Sequence, residues 1–407
     1  MNIVQFGSYP LDSNCIRGGV ESSVYGLANA LSINHEVDVF DIPRINGKDT
    51  GERVGNIQIH RYRNPGTHNQ DAVQRVDEIL RDIIALHPNI VHIHGTGEIS
   101  AIVYQALKEY GFKVLLTVHG LLHLEKKNQL RKKLSLKHIY QYFHQSRIEF
   151  EAIENTDIAV VDTEYVAIRL RQLLKQKKVK RLPNMHVIPQ GISADYLSLN
   201  SIGGTQTILS VGSISDRKGH LYLVKAFELV CTQFPQTKLV IAGTLADQSY
   251  YKLMLDYIAK SPYKRQIEIK TNLSQAEIFQ LYQQATIFAL HSQEESQGIV
   301  FAEAMAVGLP VVATHVGGVP YVVNDTITGL LSDYKDVNAF ADDILQLLND
   351  STLRNKMALA AKAEAQRYDW QKIAKQIEML YQEIIHPDER KQNFYSFPLA
   401  TQFDLVY

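Results

Sequence analysis

Cysteine is nearly missing: the 407 residues include only Cys15 and Cys231, far apart in the chain. So few and so distant thiols exclude a disulfide framework, and a reducing compartment is the expectation. No run of about 18 uncharged apolar residues occurs, so no membrane-spanning helix is predicted. Met1 to Gly7 carry no basic n-region and too short an apolar run for a signal peptide. Charge of one sign is also lacking: 42 Lys and Arg against 43 Asp and Glu argue against a protein that coats nucleic acid. No Gly-x-Gly-x-x-Gly follows the first strand, which counts against a dinucleotide-dependent dehydrogenase. No metal-ligand cluster is visible. The reading is a cytoplasmic protein.

Apolar residues make up 45% of the chain, enough for two or more cored domains. Short β-branched runs alternate with longer helical patterns, as in parallel sheets wrapped by helices. Strands are predicted at Ile3–Phe6, Val37–Asp41, Ile90–His94, Val114–Val118 and Ile158–Val161. Helices are predicted at Val20–Ser32, Val73–Leu86 and Ile99–Tyr110. A polar segment from Ile192 to Thr205 reads as a hinge. The alternation then restarts with strands at Thr207–Val211, Lys238–Ala242, Ile267–Lys270, Ile287–Leu290 and Pro310–Ala313. Amphipathic helices follow at Val337–Asn349, Leu353–Arg367 and Trp370–Ile385. Residues 388–407 show no period and are left unplaced. Ligands of open parallel sheets bind beyond the carboxyl ends of the strands, so two facing sheets would form a cleft lined by strand-end loops.

Four motifs fall on such loops. Gly18-Gly19-Val20-Glu21 ends the long first loop and opens a helix; a plain helix start would look similar, but free N–H groups behind glycines suit a phosphate. His94-Gly95 and His119-Gly120 end buried strands, and each histidine is a candidate for the cleft floor, a structural role being the alternative. His92 alternates with His94 and reads as structural. In Gly212-Ser213-Ile214-Ser215-Asp216-Arg217-Lys218-Gly219, Lys218 sets a cation at a helix start, which suits a diphosphate better than a solvated pair would. The longest motif runs from His291 to Pro310, with Glu295 in a polar loop and a helix from about Gly298. The amides of Gly298, Ile299 and Val300 are placed to meet phosphate. Glu303 sits on an apolar helix face, a costly place for a carboxylate without a partner, and a pair of ribose hydroxyls would supply one. A glycosidase acid/base pair is disfavoured, because eight helical residues rise about 12 Å and hydrolytic carboxylates stand about 5–9.5 Å apart.

These residues, with Ile188-Pro189-Gln190-Gly191, resemble glycosyltransferase family 4, the retaining enzymes of the GT-B fold, in order along nearly the whole chain. The resemblance implies two Rossmann-like α/β domains with parallel sheets facing across a cleft. It implies an N-terminal acceptor-side domain over 1–195, a nucleotide-sugar domain over 205–368, and a final helix, about 370–386, returning to the first. It implies a nucleotide-diphosphate sugar donor, held by Gly18, Gly19, Ser213, Arg217, Lys218, Glu295, Gly298, Ile299, Val300 and Glu303. His119, Glu295 and Lys218 would be catalytic, Glu21, His94 and His119 would face the acceptor, and neither metal nor cofactor would be needed. One departure stands out: Ser213 occupies a position where the family commonly has arginine, and Arg217 is the expected substitute.

The acceptor is read as a glycan or lipid-linked intermediate of cell-surface glycan synthesis. Residues 113–181 hold 15 Lys or Arg against 7 Asp or Glu. Basic residues mixed with leucines over Lys126–Lys137 suit an anionic membrane, placing the protein at the inner face of the cytoplasmic membrane; a solvated helix face is the competing reading. Lys175–Arg181 adds a second basic stretch. The competing functions are a nucleotide-sugar epimerase of the same fold and a non-catalytic sugar-nucleotide binder.

Overall fold

A computed structural model describes residues 1–12, 16, 18–42, 49–63, 69–132, 134–179, 182–202 and 206–387. Cys15, Lys133, Lys180, Arg181, the Gly203–Thr205 end of the expected hinge, and residues 388–407 lie outside the described residues.

The first half forms, in order, β1 (Asn2–Phe6), α1 (Gly19–Leu31), β2 (Glu36–Asp41), β3 (Thr50–Val54), β4 (Ile57–Arg61), α2 (Asn69–Ala85), β5 (Ile90–His94), α3 (Glu98–Glu109), β6 (Val114–Val118), α4 (Leu122–Lys132), α5 (Leu136–Glu154), β7 (Ile158–Val161), α6 (Glu164–Gln176) and β8 (Asn184–Val187). Its sheet has the order β3-β4-β2-β1-β5-β6-β7-β8, parallel throughout except for β3 against β4. Every residue of β5, β6 and β7 is buried, as expected where helices cover both sheet faces.

After α7 (Ala194–Ser198), the second half runs β9 (Thr207–Val211), α8 (His220–Gln233), β10 (Lys238–Ala242), α9 (Gln248–Ile258), β11 (Ile267–Lys270), α10 (Gln275–Gln284), β12 (Ile287–Leu290), α11 (Ile299–Val307), β13 (Val311–Thr314), β14 (Gly329–Ser332), α12 (Val337–Asn349), α13 (Ser351–Ala365) and α14 (Trp370–Ile385). Its sheet is wholly parallel, ordered β11-β10-β9-β12-β13-β14.

The last helix crosses over. Asp369 caps it by accepting from Gln371 N–H. Trp370, Ile373, Ile377 and Tyr381 recur at helical spacing and share a buried core with Val24, Leu27 and Leu31 of α1. The fit needs glycine: a Cβ on Gly26 would stand 2.0 Å from Trp370 Nε1, and one on Gly191 would stand 2.5 Å from Trp370 Cδ2.

Two expectations need correction. The Ile192–Thr205 segment is not an open polar hinge over its described part: Ile192 bridges to Asp369, and Tyr196 of α7 is buried in the core of the second domain. The basic segment Lys126–Lys137, read as a helix face, is divided between α4 and α5. It breaks before Ser135, whose hydroxyl accepts from His138 N–H and so starts α5 afresh.

Candidate active site

Neighbouring strands of the first sheet deliver a row of polar side chains to its carboxyl edge. His94 ends β5, His119 follows β6, Asp162 follows β7 and Gln190 follows β8. The rings of His94 and His119 stack with an interplanar angle of 7°, and His94 Nδ1 is 3.0 Å from His119 Nε2. On the other side, His119 Nδ1 lies 3.6 Å from Asp162 Oδ1. Gln190 Nε2 donates to Asp162 Oδ2 at 2.7 Å. Burial pushes His94 well below the usual histidine range, so its ring is neutral. His92 is structural: its ring bonds Tyr381 Oη of α14 and Thr117 Oγ1, and burial pushes its pKa down to about 3.

Gly18 and Gly19 open α1 beside this row. A side chain on Gly18 would meet nothing within 4 Å, and on Gly19 only Gln190 Oε1 at 3.6 Å. Glu21 lies half-buried in the first turn of the same helix.

The facing elements are the loops after β9 and β12, which are adjacent strands. Lys218 is buried, and its Nζ donates to Glu295 Oε1 at 2.6 Å. Ser292 Oγ donates to the same oxygen at 2.8 Å, while Arg217 Nη1 approaches Glu295 Oε2 at 3.3 Å and Glu294 O at 3.1 Å. Burial alone would raise the Glu295 carboxyl, but Lys218 and Arg217 outweigh it and hold the group at about 2. Ser213 lies half-buried in the β9 loop, where its carbonyl accepts from Ser215 Oγ.

Gly298 is the N-cap of α11 at φ +79, a left-handed conformation that a residue with a Cβ adopts at a cost. Ile299 and Val300 form the first turn, where helix N–H groups have no intrahelical acceptor. Glu303, one turn on, has partners the sequence did not reveal. Tyr282 Oη donates to Glu303 Oε2 at 2.9 Å, and Tyr196 adds a second bond. Burial nevertheless raises the Glu303 carboxyl to about 7.

The two sides touch. Gln190 N–H donates to Gln297 Oε1 at 2.7 Å, Gln297 Nε2 donates to Gln190 O at 3.0 Å, and Thr163 Oγ1 donates to Ser296 O at 2.7 Å. The structure thus gathers His94, His119, Gly18 and Gly19 on one wall, and Arg217, Lys218, Glu295 and Gly298 on the other.

Sequence reasoning missed Asp162, Tyr196, Tyr282 and Gln297 as members of the site. Asp162 was open to discovery, because it directly follows the predicted strand Ile158–Val161. The two tyrosines come from α7 and α10 and meet Glu303 only through tertiary packing. Glu149 was also missed. Fully buried on α5, it accepts from the backbone N–H groups of Leu122 and His123 and so anchors the start of α4 just after His119.

Among solved structures, sucrose-phosphate synthase from Thermosynechococcus elongatus superposes with a TM-score of 0.78 at 22% identity, covering 95% of this chain and all of that one. Anabaena HepE in complex with UDP and glucose gives 0.71 at 18% identity over 93% of this chain and 98% of its own. Two parallel-sheet α/β domains facing across a cleft make this a protein of the GT-B glycosyltransferase fold.

Residues 17–196 match the profile described as "Glycosyltransferase Family 4", and residues 198–364 match "Glycosyl transferases group 1". The chain belongs to glycosyltransferase family 4. A D-inositol 3-phosphate glycosyltransferase of Corynebacterium aurimucosum is 30% identical over 57% of this chain and 58% of its own length. The chain therefore matches less than two thirds of such a relative. The putative glycosyltransferase YtcC of Bacillus subtilis is 24% identical over 97% of this chain and 95% of its own.

Proposed function

We propose that the chain is a retaining glycosyltransferase that moves a sugar from a nucleotide-diphosphate sugar to a hydroxyl acceptor. The observation carrying this reading is the meeting of Arg217, Lys218, Glu295 and the α11 N-terminus, from adjacent strand ends, opposite His119 and the open glycines of α1.

In this reading the donor pyrophosphate lies between two helix N-termini, at Gly18–Gly19 and at Gly298–Val300, where backbone N–H groups and helix dipoles favour negative charge. Lys218 and Arg217 supply the remaining positive charge, with Arg217 replacing the family arginine absent at Ser213. Glu295 holds sugar hydroxyls and keeps the two cations in place. Glu303 takes the ribose, displacing a tyrosine hydroxyl. His119 contacts the transferring sugar, with His94 and Glu21 toward the acceptor. As the bond to the leaving phosphate breaks, the caged diphosphate bears the growing negative charge, and a donor phosphate oxygen takes the acceptor proton on the same face. The two cations fill the role of a charge-neutralising metal. Loops near Gly243 and Lys270–Ser274 are assigned to the base. The domains divide as 1–195 with 370–386, and 205–368.

The acceptor is assigned to a lipid-linked or polysaccharide intermediate, handled at the inner face of the cytoplasmic membrane. Leu136, Tyr140 and Phe143 are exposed at i, i+4 and i+7 on α5, after exposed Leu134 and on the same helix as exposed Lys137 and Arg147, the latter paired with Glu151. Apolar and aromatic groups flanked by cations suit an anionic bilayer surface. Among the described residues no helix is long and apolar enough to cross a membrane, so the contact would be peripheral.

A thermal-shift panel of uridine, guanosine and adenosine diphosphate sugars tests the donor assignment. A donor at 100 times its Kd adds about 2.7 kcal/mol of stability. Product formation that requires an added acceptor, with the donor's anomeric configuration retained by NMR, separates transfer from epimerisation. Failure of every sugar nucleotide to stabilise the protein overturns the reading.

A further inference from the structure

We propose that Gln297 is a positioning residue that fixes the two walls of the cleft in register by reading the backbone of Gln190; the inference rests on the glycosyltransferase reading above. The Gln297 amide accepts from Gln190 N–H at 2.7 Å and donates to Gln190 C=O at 3.0 Å. It thus satisfies both backbone groups of one residue, as a neighbouring strand would. Gln297 is 2% exposed and Gln190 8%, so water is excluded from both bonds and losing them strands buried polar groups.

The location makes the pair more than a domain contact. Gln297 lies two residues after Glu295 and directly before Gly298, the N-cap of α11. The same short loop is pinned by Gly318 N–H donating to Glu295 O at 2.8 Å and by Thr163 Oγ1 donating to Ser296 O. On the opposite wall, the Gln190 side chain donates to Asp162, whose other carboxylate oxygen faces His119 at 3.6 Å. A continuous buried path therefore joins His119 to the loop of Glu295 through Asp162, Gln190 and Gln297. A shift of the Gln297 amide moves the donor-side loop relative to His119, and catalysis depends steeply on such placement. An apolar side chain of equal length would fill the same space without fixing the register.

The test compares wild type with Gln297→Met and Gln297→Glu, using the donor identified by thermal shift. Gln297→Met keeps volume and loses both bonds. Its expected kcat is at least tenfold lower at saturating donor, with donor Kd within threefold of wild type, since Lys218, Glu295 and Glu303 remain. Gln297→Glu keeps an acceptor for Gln190 N–H but sets a carboxylate against the Gln190 carbonyl. Protonation restores the donor, so its kcat relative to wild type rises as pH falls. Turnover within twofold of wild type in Gln297→Met, or equal losses in affinity and turnover, overturns the proposal while leaving donor binding intact. Should Gln297→Met fail to fold, the pH profile of Gln297→Glu decides alone, and a flat ratio is the contrary result.

Discussion

Lys218 Nζ lies 2.6 Å from Glu295 Oε1, so two residues that sequence reasoning gave separate tasks form one buried ion pair. Removing Lys218 leaves buried Glu295 with only Arg217 to balance its charge, and removing Glu295 leaves buried Lys218 without its carboxylate. The pair is therefore a structural support for the loop and, in the proposed function, a source of charge for a donor.

Replacing Lys218 with Met leaves Glu295 buried beside Arg217 alone. Breaking a buried pair from one side costs about 3–5 kcal/mol. Chemical denaturation is expected to show a loss of that order for Lys218→Met and a smaller loss for the double variant Lys218→Met/Glu295→Gln. Equal losses would mean that the two groups do not support each other.

Glu303 sets a pH dependence. Its folded pKa, raised to about 7, lies above the unfolded value, so it adds stability below about pH 4.5 that is lost as pH rises through 7. In the proposed donor complex binding runs the other way, because ribose hydroxyls would donate to the carboxylate. Donor affinity is expected to weaken about tenfold from pH 8 to pH 6, the change in ionised fraction near a pKa of 7. Glu303→Gln should flatten that profile; a slope kept in the variant would assign it elsewhere. Glu295, held at about 2, stays ionised over this range and contributes no slope.

His119 stacks on His94 and faces Asp162, both on its own wall of the cleft. His119→Ala is expected to lower kcat about 100-fold while leaving nucleoside diphosphate affinity within threefold. A parallel loss of diphosphate affinity would move His119 out of the sugar-contacting role.

The crossover helix depends on Gly26 and Gly191. Gly26→Ala sets a methyl 2.0 Å from Trp370 Nε1 and is expected to cost about 1–3 kcal/mol through overpacking. Trp370→Ala leaves a cavity and is expected to cost about 3–5 kcal/mol. In the double variant the alanine of Gly26→Ala has no indole to meet, so the combined loss should fall short of the sum; strict additivity would contradict this packing.

The α5 stripe gives a prediction at the surface. Tyr140→Ser/Phe143→Ser is expected to lower sedimentation with anionic liposomes several-fold without changing thermal stability. Equal binding by both proteins, or none by wild type, removes the membrane assignment.

Central strands were legible because they are buried on both faces: Ile90–His94, Val114–Val118 and Thr207–Val211 fall where the apolar runs put them. The strands that escaped sequence reading lie at or beside sheet edges. β3 is wholly exposed, β8 carries Asn184 and His186, and β14 begins at Gly329, so none offers a continuous apolar run. β4 alternates buried Ile57, Ile59 and Arg61 with half-buried Gln58 and His60, a weaker pattern over five residues. Within the site, spacing revealed Lys218, Glu295 and Gly298 because each sits on a strand-to-helix loop. It could not reveal that Tyr196 and Tyr282 meet Glu303, or that Gln297 reaches Gln190: Gln190 and Gln297 are 107 residues apart, and Tyr282 and Glu303, 21 residues apart, lie on different helices.

The central claim is a cage for a pyrophosphate, and calorimetric titration with uridine, guanosine and adenosine mono- and diphosphates tests it most directly. At least one diphosphate should bind ten times or more tighter than its monophosphate, with the margin lost in Lys218→Met. Equal binding of mono- and diphosphates for every base, or binding of none, would contradict the account.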